Sequence, residues 1–230
     1  FAGCRSLERV VFAPRTTTVE LSRGIFSHCV NLRSVTLPPH LHSIPAWFLK
    51  GCTSLTRLQL PASVEQIEAY AFYGSGIQAI KISDDDEFIP GTILLPNLQI
   101  ISNHCFSYCL SLKKIHIPDS VQQIGEDALC GSGLVAIDIP TNVQQIDREA
   151  CADCVSLQEV TIHSSSNNLM MADNIFVRCP AVSVIKMYPW LWPKLFASMN
   201  GHPQFIFKFF RHYHTQIRDF ETPSDVSERR

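Results

Sequence analysis

No stretch of this 230-residue chain approaches the roughly 18 consecutive apolar residues that a membrane-crossing helix requires, so no such span is expected. Neither charge is in surplus. Nineteen Lys and Arg residues face 21 Asp and Glu, and a net charge of −2 gives no electrostatic pointer to nucleic acid or to an anionic membrane. The Gly-rich phosphate loop, the G-x-S-x-G elbow, H-E-x-x-H and G-x-G-x-x-G are all missing. Without them neither an enzyme nor a cofactor is expected. None of the eight asparagines sits in an N-x-S/T sequon. The chain is nevertheless no disordered polymer, because 46% of its residues are hydrophobic and only 17% are charged.

What is present is one phrase written again and again. Its clearest copy runs from Phe106 through Cys109, Leu112, Ile115, Ile117, Pro118, Val121 and Ile124 to Leu129, where the next begins. Copies start at Phe1, Phe26, Leu49, Phe72, Phe106, Leu129, Cys151 and Phe176, with spacings of 25, 23, 23, 34, 23, 22 and 25 residues. The long spacing contains an insertion near residues 83–95 that carries Asp84-Asp85-Asp86-Glu87. That acidic run is read as a solvated loop, since it lacks the spaced oxygen ligands of a calcium loop. Two copies open with G-S-G, at Gly74-Ser75-Gly76 and Gly131-Ser132-Gly133, where Ser replaces the repeat Cys. Because the chain opens on Phe1, within a copy and without Met, it is expected to be the C-terminal part of something longer.

Ile115 and Ile117 are two residues apart and so share one face of a strand, with His116 on the other. Proline donates no ladder bond, so Pro38, Pro61, Pro118 and Pro140 end these strands. A second short extended segment follows, as in Val121–Ile124, and a single helical or 3-10 turn leads to the next Cys. One such copy cannot bury its own apolar face, so copies must stack. The expected fold is a leucine-rich repeat solenoid: a β-rich right-handed coil of parallel sheets, about eight copies over residues 1–187.

The recurring phrase, quoted as LTRLQLPASVEQIEAYAFYGS and LKKIHIPDSVQQIGEDALCGS, resembles the BspA-type leucine-rich repeat. That family is known from bacterial surface proteins and from expanded families in single-celled eukaryotes. The resemblance implies a binding or adhesion module and offers no shared catalytic residues to transfer. The usual N/C-x-L after the strand is missing, so no Asn ladder is expected.

Six of the nine cysteines fall in one slot: Cys4, Cys29, Cys52, Cys109, Cys154 and Cys179. They are read as an inward ladder of small buried thiols. Cys151-x-x-Cys154 looks like half a metal or redox site, yet the repeat itself generates it, and the second C-x-x-C that zinc would need is absent. No metal site is therefore expected, either there or at the H-x-H pairs His40/His42 and His212/His214. Reduced thiols suit a cytoplasmic location, with the cell surface as the alternative.

Stacking turns the outward strand positions into a continuous face, and that face is the expected binding surface. Its candidate residues are Arg57, Gln59, Lys81, Lys114, His116, Asp138 and Glu159, a basic patch at mid-array followed by acids. The expected partner is another protein carrying acidic groups, not nucleic acid. A second stripe, Glu65-Gln66, Gln99, Gln122-Gln123 and Gln144-Gln145, is read as a structural amide ladder. After Met187 the period stops. Residues 188–220 are expected to form a helical cap: one helix through Met199, then a second after Pro203 with Phe205, Phe209, Tyr213 and Ile217 on one face. Membrane contact is conceivable only through that basic second helix. Residues 221–230 are expected to be a disordered tail.

Overall fold

The structure is a computed structural model that describes residues 1–12, 21–82, 92–95, 98–164, 168–198 and 206–209. Each copy contributes a first strand whose central apolar residue points inward. These strands are Arg9–Val11, Ser34–Thr36, Arg57–Gln59, Ala79–Lys81, Lys114–His116, Ala136–Ile139, Glu159–Ile162 and Val184–Met187. They are parallel and pair in three runs, Arg9–Val11 with Ser34–Thr36, Arg57–Gln59 through Lys114–His116, and Ala136–Ile139 through Val184–Met187, with equivalent residues opposite each other as in Ala136↔Glu159↔Val184. Shorter second strands follow at Ser43–Ile44, Gln66–Ile67, Ile100–Ile101, Gln123–Ile124, Gln145–Ile146 and Met170–Met171. The result is a parallel-strand β-solenoid of about seven turns, against the eight or so copies expected.

The repeat positions build one continuous core. Phe26, Phe48, Phe72 and Phe106 are all at least 98% buried, and the rings of Phe72 and Phe106 stack at 5.2 Å. Cys29, Cys52, Cys109, Cys154 and Cys179 are buried, whereas Cys4, in the first coil, is exposed. The thiols do more than fill space. Each buried one donates to a main-chain carbonyl of the preceding coil: Cys52 to Phe26 at 3.1 Å, Cys109 to Phe72 at 3.1 Å and Cys154 to Leu129 at 3.2 Å. In the two G-S-G copies the serine hydroxyl takes the thiol's place, and Ser132 Oγ meets Cys154 Sγ at 3.4 Å. Both motifs need their last glycine. A Cβ at Gly133 would stand 2.0 Å from the Leu110 carbonyl oxygen, and one at Gly76 the same distance from that of Thr53.

Two expectations change. The insertion is not only a loop, because its end, Thr92–Leu94, is an additional rung of the first sheet. It sits between Ala79–Lys81 and Lys114–His116, pairing Ile80↔Ile93 and Ile93↔Ile115. Thr92-Ile93-Leu94-Leu95 carries the inward spacing of a repeat strand, and Ile93 and Leu95 are buried accordingly. It lacks the Phe–Cys turn, so the turn segments step directly from Tyr70–Ser75 to His104–Cys109, with Phe72 N–H donating to Cys105 O at 3.0 Å. The run Asp84 to Glu87 lies outside the described residues.

The second change concerns the end of the array. A 3-10 turn, Pro189–Leu191, leads into the helix Trp192–Ser198. Leu191 and Leu195 are fully buried against the last coil, and Lys194 Nζ donates to Leu169 O at 3.2 Å. The second expected helix is contradicted at Ile206–Phe209. That segment is a strand, in parallel register with Val184–Met187. The open edge of the last strand offers main-chain partners to any extended neighbour, and Ile-Phe-Lys-Phe takes them. The rest of that expected helix and the tail 221–230 lie outside the described residues.

Candidate functional site

Strand pairing sets the expected binding residues on two separate runs, Arg57–Gln59 through Lys114–His116 and Ala136–Ile139 with Glu159–Ile162. Arg57 pairs with Ala79 and Gln59 with Lys81, while Thr92 pairs with Lys114 and Leu94 with His116. The extra rung therefore stands between the two halves of the proposed basic patch. Lys81 and His116 are two rungs apart, about 10 Å at the usual strand spacing, and are not neighbours. Arg57, Lys114, His116 and Asp138 are exposed, and Gln59, Lys81 and Glu159 are half-buried. Two outward slots depart from the simple alternation: Ala79 and Thr161 are only 1% and 5% exposed. The acidic half is partly tied down, since Lys186 Nζ lies 2.6 Å from Glu159 Oε1 and His163 Nε2 lies 3.8 Å from Asp138 Oδ1.

On the second sheet the amide stripe is real but short. Gln122 Nε2 donates to Gln99 Oε1 at 2.9 Å. Gln123 and Gln145 instead converge on one carboxylate, reaching Asp147 at 2.7 and 2.6 Å. A polar groove of about 700 Å³ runs beside this stripe, lined by Gln99, Ser120, Gln122, Asn142, Gln144 and Asn168.

A third surface, the ridge of turns, was not foreseen. In each turn alternate amides point different ways. His104, Phe106 and Tyr108 donate to the next coil, at Glu126, Ala128 and Cys130, while Cys105, Ser107 and Cys109 close i→i+3 bonds within their own turn. A chain can alternate like this only by switching backbone hand, and it does so two residues before and two after the Phe slot. The left-handed pairs are Gly24/His28, Trp47/Gly51, Tyr70/Gly74, His104/Tyr108, Asp127/Gly131, Glu149/Asp153 and Asn174/Arg178. Glycine adopts this conformation without penalty, whereas other residues lose about 1–2 kcal/mol each. Ten of these positions carry a side chain nonetheless.

Those side chains form a file of contacts along the ridge. Arg23 lies 3.8 Å above the Trp47 ring, and Lys50 Nζ lies 5.1 and 5.6 Å from the centres of Tyr73 and Tyr70. Tyr70 stacks on His104 at 4.3 Å, and Tyr73 meets Tyr108 at 5.4 Å. His104 Nδ1 is 3.7 Å from Asp127 Oδ2. Further along, Arg178 holds Asp153 through two nitrogens, one at 2.8 Å, and reaches Glu149 at 3.5 Å. The Arg178 bonds hold the Asp153 carboxyl below the usual carboxylate range. Cys130, beside this cluster, has its thiol pushed up to about 12, first by burial and then by Asp127 and Asp153, so it is no nucleophile at neutral pH. Among the described residues no group of three His, Cys, Asp or Glu side chains could hold a metal ion.

A family model described as the BspA type leucine rich repeat region matches this sequence in six copies, over residues 1–94 and 89–189. No curated protein matches it. Among solved structures, the leucine-rich repeat protein of T. pallidum is similar, at 22% identity over 86% of this chain and 85% of that one, with a TM-score of 0.59. A leucine-rich cell surface protein from Faecalibacterium prausnitzii A2-165 is similar at 21% identity and a TM-score of 0.52. That likeness covers 89% of this chain, which spans 60% of the other's length. At these identities the likeness is one of fold.

Proposed function

This chain belongs to the BspA-type leucine-rich repeat family, and we propose that it is a non-catalytic module binding another protein through the outward face of its first sheet. The family is generally non-catalytic, and leucine-rich repeat proteins typically mediate protein interactions. The observation that supports the reading is the strand pairing, which sets Arg57 beside Ala79, Gln59 beside Lys81, Thr92 beside Lys114, Leu94 beside His116 and, in a separately paired run, Ala136 beside Glu159. With the extra rung between them, the face offers two clusters: Arg57, Gln59 and Lys81 on one side, Lys114, His116, Asp138 and Glu159 on the other. A partner with acidic groups would bridge both. Affinity capture with the wild-type chain and with the Arg57→Glu/Lys114→Glu variant tests this. A partner set that is unchanged by the double reversal overturns the strand-face reading.

A second reading, display on a cell surface, draws support from the F. prausnitzii protein, whose own description is of a cell surface protein. Antibody labelling of unpermeabilised cells separates the two locations. Among the described residues no helix is long and apolar enough to cross a membrane.

A further inference from the structure

The turn ridge recognises positive charge with its own side chains, and it does so in two modes. Rings receive Arg23 and Lys50, and carboxylates clamp Arg178. Between these places lie Tyr108 and, on the next turn, Asp127. Tyr108 is 45% exposed, and among the described residues no cation lies over its ring. One edge of it packs against glycine: a Cβ at Gly131 would come within 2.7 Å of two ring atoms, so the ring's place on the next coil depends on the missing side chain. A cleft of about 330 Å³ opens here, lined by Tyr108, Asp127 and Cys130 among others, with Lys50 and Arg178 on its walls as well.

We propose that this cleft docks a lysine or arginine side chain from a partner polypeptide, with the ammonium or guanidinium group over Tyr108 and against Asp127. An aromatic face attracts a cation through its quadrupole, and a carboxylate lining the same cleft adds a charge-assisted bond. The surrounding turns favour the same sign. In sequence these turns carry Glu68, Glu126, Asp127, Asp147, Glu149, Asp153 and Asp173 against Lys50, Arg148 and Arg178, of which Arg178 already pairs with Glu149 and Asp153. This acidic balance argues for a cationic polypeptide over a neutral sugar, which would also stack on a tyrosine.

The test is a fluorescence-anisotropy titration of the full chain with a dye-labelled peptide of alternating Gly and Arg, beside its Glu counterpart and a neutral oligosaccharide. The Arg peptide binds and the other two do not. Tyr108→Gly weakens binding about two- to fivefold, Asp127→Asn does the same, and the double variant weakens it about tenfold. Glycine already occupies this slot at Gly51, Gly74 and Gly131, so Tyr108→Gly keeps its circular dichroism spectrum. Tyr108→Phe retains the ring and retains binding. Arg57→Ala/Lys114→Ala on the strand face leaves this affinity unchanged, which separates the ridge from the proposed strand-face interaction. The proposal is overturned by an unaltered affinity in the double variant, by an equal loss in Glu65→Gln on the second sheet, or by preference for the Glu peptide or the oligosaccharide.

Discussion

The first sheet and the turn ridge are made by the same coils, but they constrain side chains in opposite ways. On the sheet, extended backbones pair by main-chain bonds that do not depend on what points outward. Neighbouring outward residues such as Ala136, Glu159 and Val184 can therefore differ in size and charge without altering the fold. On the ridge, the coil-to-coil amides force a left-handed backbone at fixed slots, and any side chain there starts with a penalty. Tyr70, His104 and Arg178 offset it by contacts to adjacent coils. The sheet can vary freely, while the ridge varies only as a coupled file. A solenoid thus has two kinds of surface: one open to independent change and one where each residue answers to its neighbour.

The largest expected effect strikes the core that both surfaces share. Phe106 is fully buried and stacks on Phe72, so Phe106→Ala should cost about 3–5 kcal/mol in denaturant unfolding. Because coils support each other in sequence, both faces should lose order together. Retention of one face, read by hydrogen exchange, would mean that sheet and ridge are energetically separate. A smaller effect sharpens the contrast directly. At Gly133, where a turn enters the sheet, Ala would meet the Leu110 carbonyl and should cost about 1–3 kcal/mol. At Gly74, on the ridge, a Cβ meets nothing within 4 Å, and Ala should cost about 1 kcal/mol from backbone hand alone. Equal melting temperatures for the two variants would contradict this account.

The contrast also explains what could be read from the chain. The sheet was legible because its inward residues are apolar at spacing two and its strands end in proline, as at Ile115, Ile117 and Pro118. The Thr92–Leu94 rung was hidden because it carries the strand half of the phrase without Phe or Cys, so its spacing looked like a loop. Ile206–Phe209 was misread because apolar residues four apart, Phe205 and Phe209, also alternate well enough for an edge strand. The ridge left no ordinary mark. Left-handed turns are usually betrayed by glycine, and here Trp47, Tyr70, His104, Tyr108 and Asp127 stand in those slots. The available signal was positional: two residues before and two after each Phe slot stands either glycine or a polar or aromatic residue, as in Gly24/His28, Trp47/Gly51 and Asn174/Arg178.

The buried thiols give a third, pH-dependent test. Burial pushes Cys52 up to about 12 from its ordinary 9.0. The folded state therefore keeps the neutral thiol while the unfolded chain ionises above 9.0. Its contribution to stability is complete below pH 9 and is lost as pH rises toward 12, at up to about 1.4 kcal/mol per pH unit. Cys52→Ser leaves a hydroxyl where Ser75 and Ser132 already stand in other coils, and it removes this titration. The difference in unfolding free energy between the two proteins should shift in favour of the variant from pH 9 upward. A difference that stays constant to pH 11 would place the Cys52 thiol in contact with water.

The smallest effect belongs to the ridge's clearest ion pair. Arg178 lowers the Asp153 carboxyl below its ordinary 3.8, so the pair's contribution is present above that value and lost as pH falls through the lower, folded one. Both side chains are partly solvated, at 58% and 30% exposure, so Asp153→Asn should cost less than about 1 kcal/mol at neutral pH. The cost should shrink in high salt and as pH falls through the lowered Asp153 value. Asp153 also holds a left-handed backbone, which asparagine tolerates equally well, so the variant isolates the charge from the conformation. A loss well above 1 kcal/mol, unaffected by salt, would show that the ridge contacts act as one cooperative file and not as separate pairs. The ridge would then be a structural spine, and its variation as constrained as that of the core.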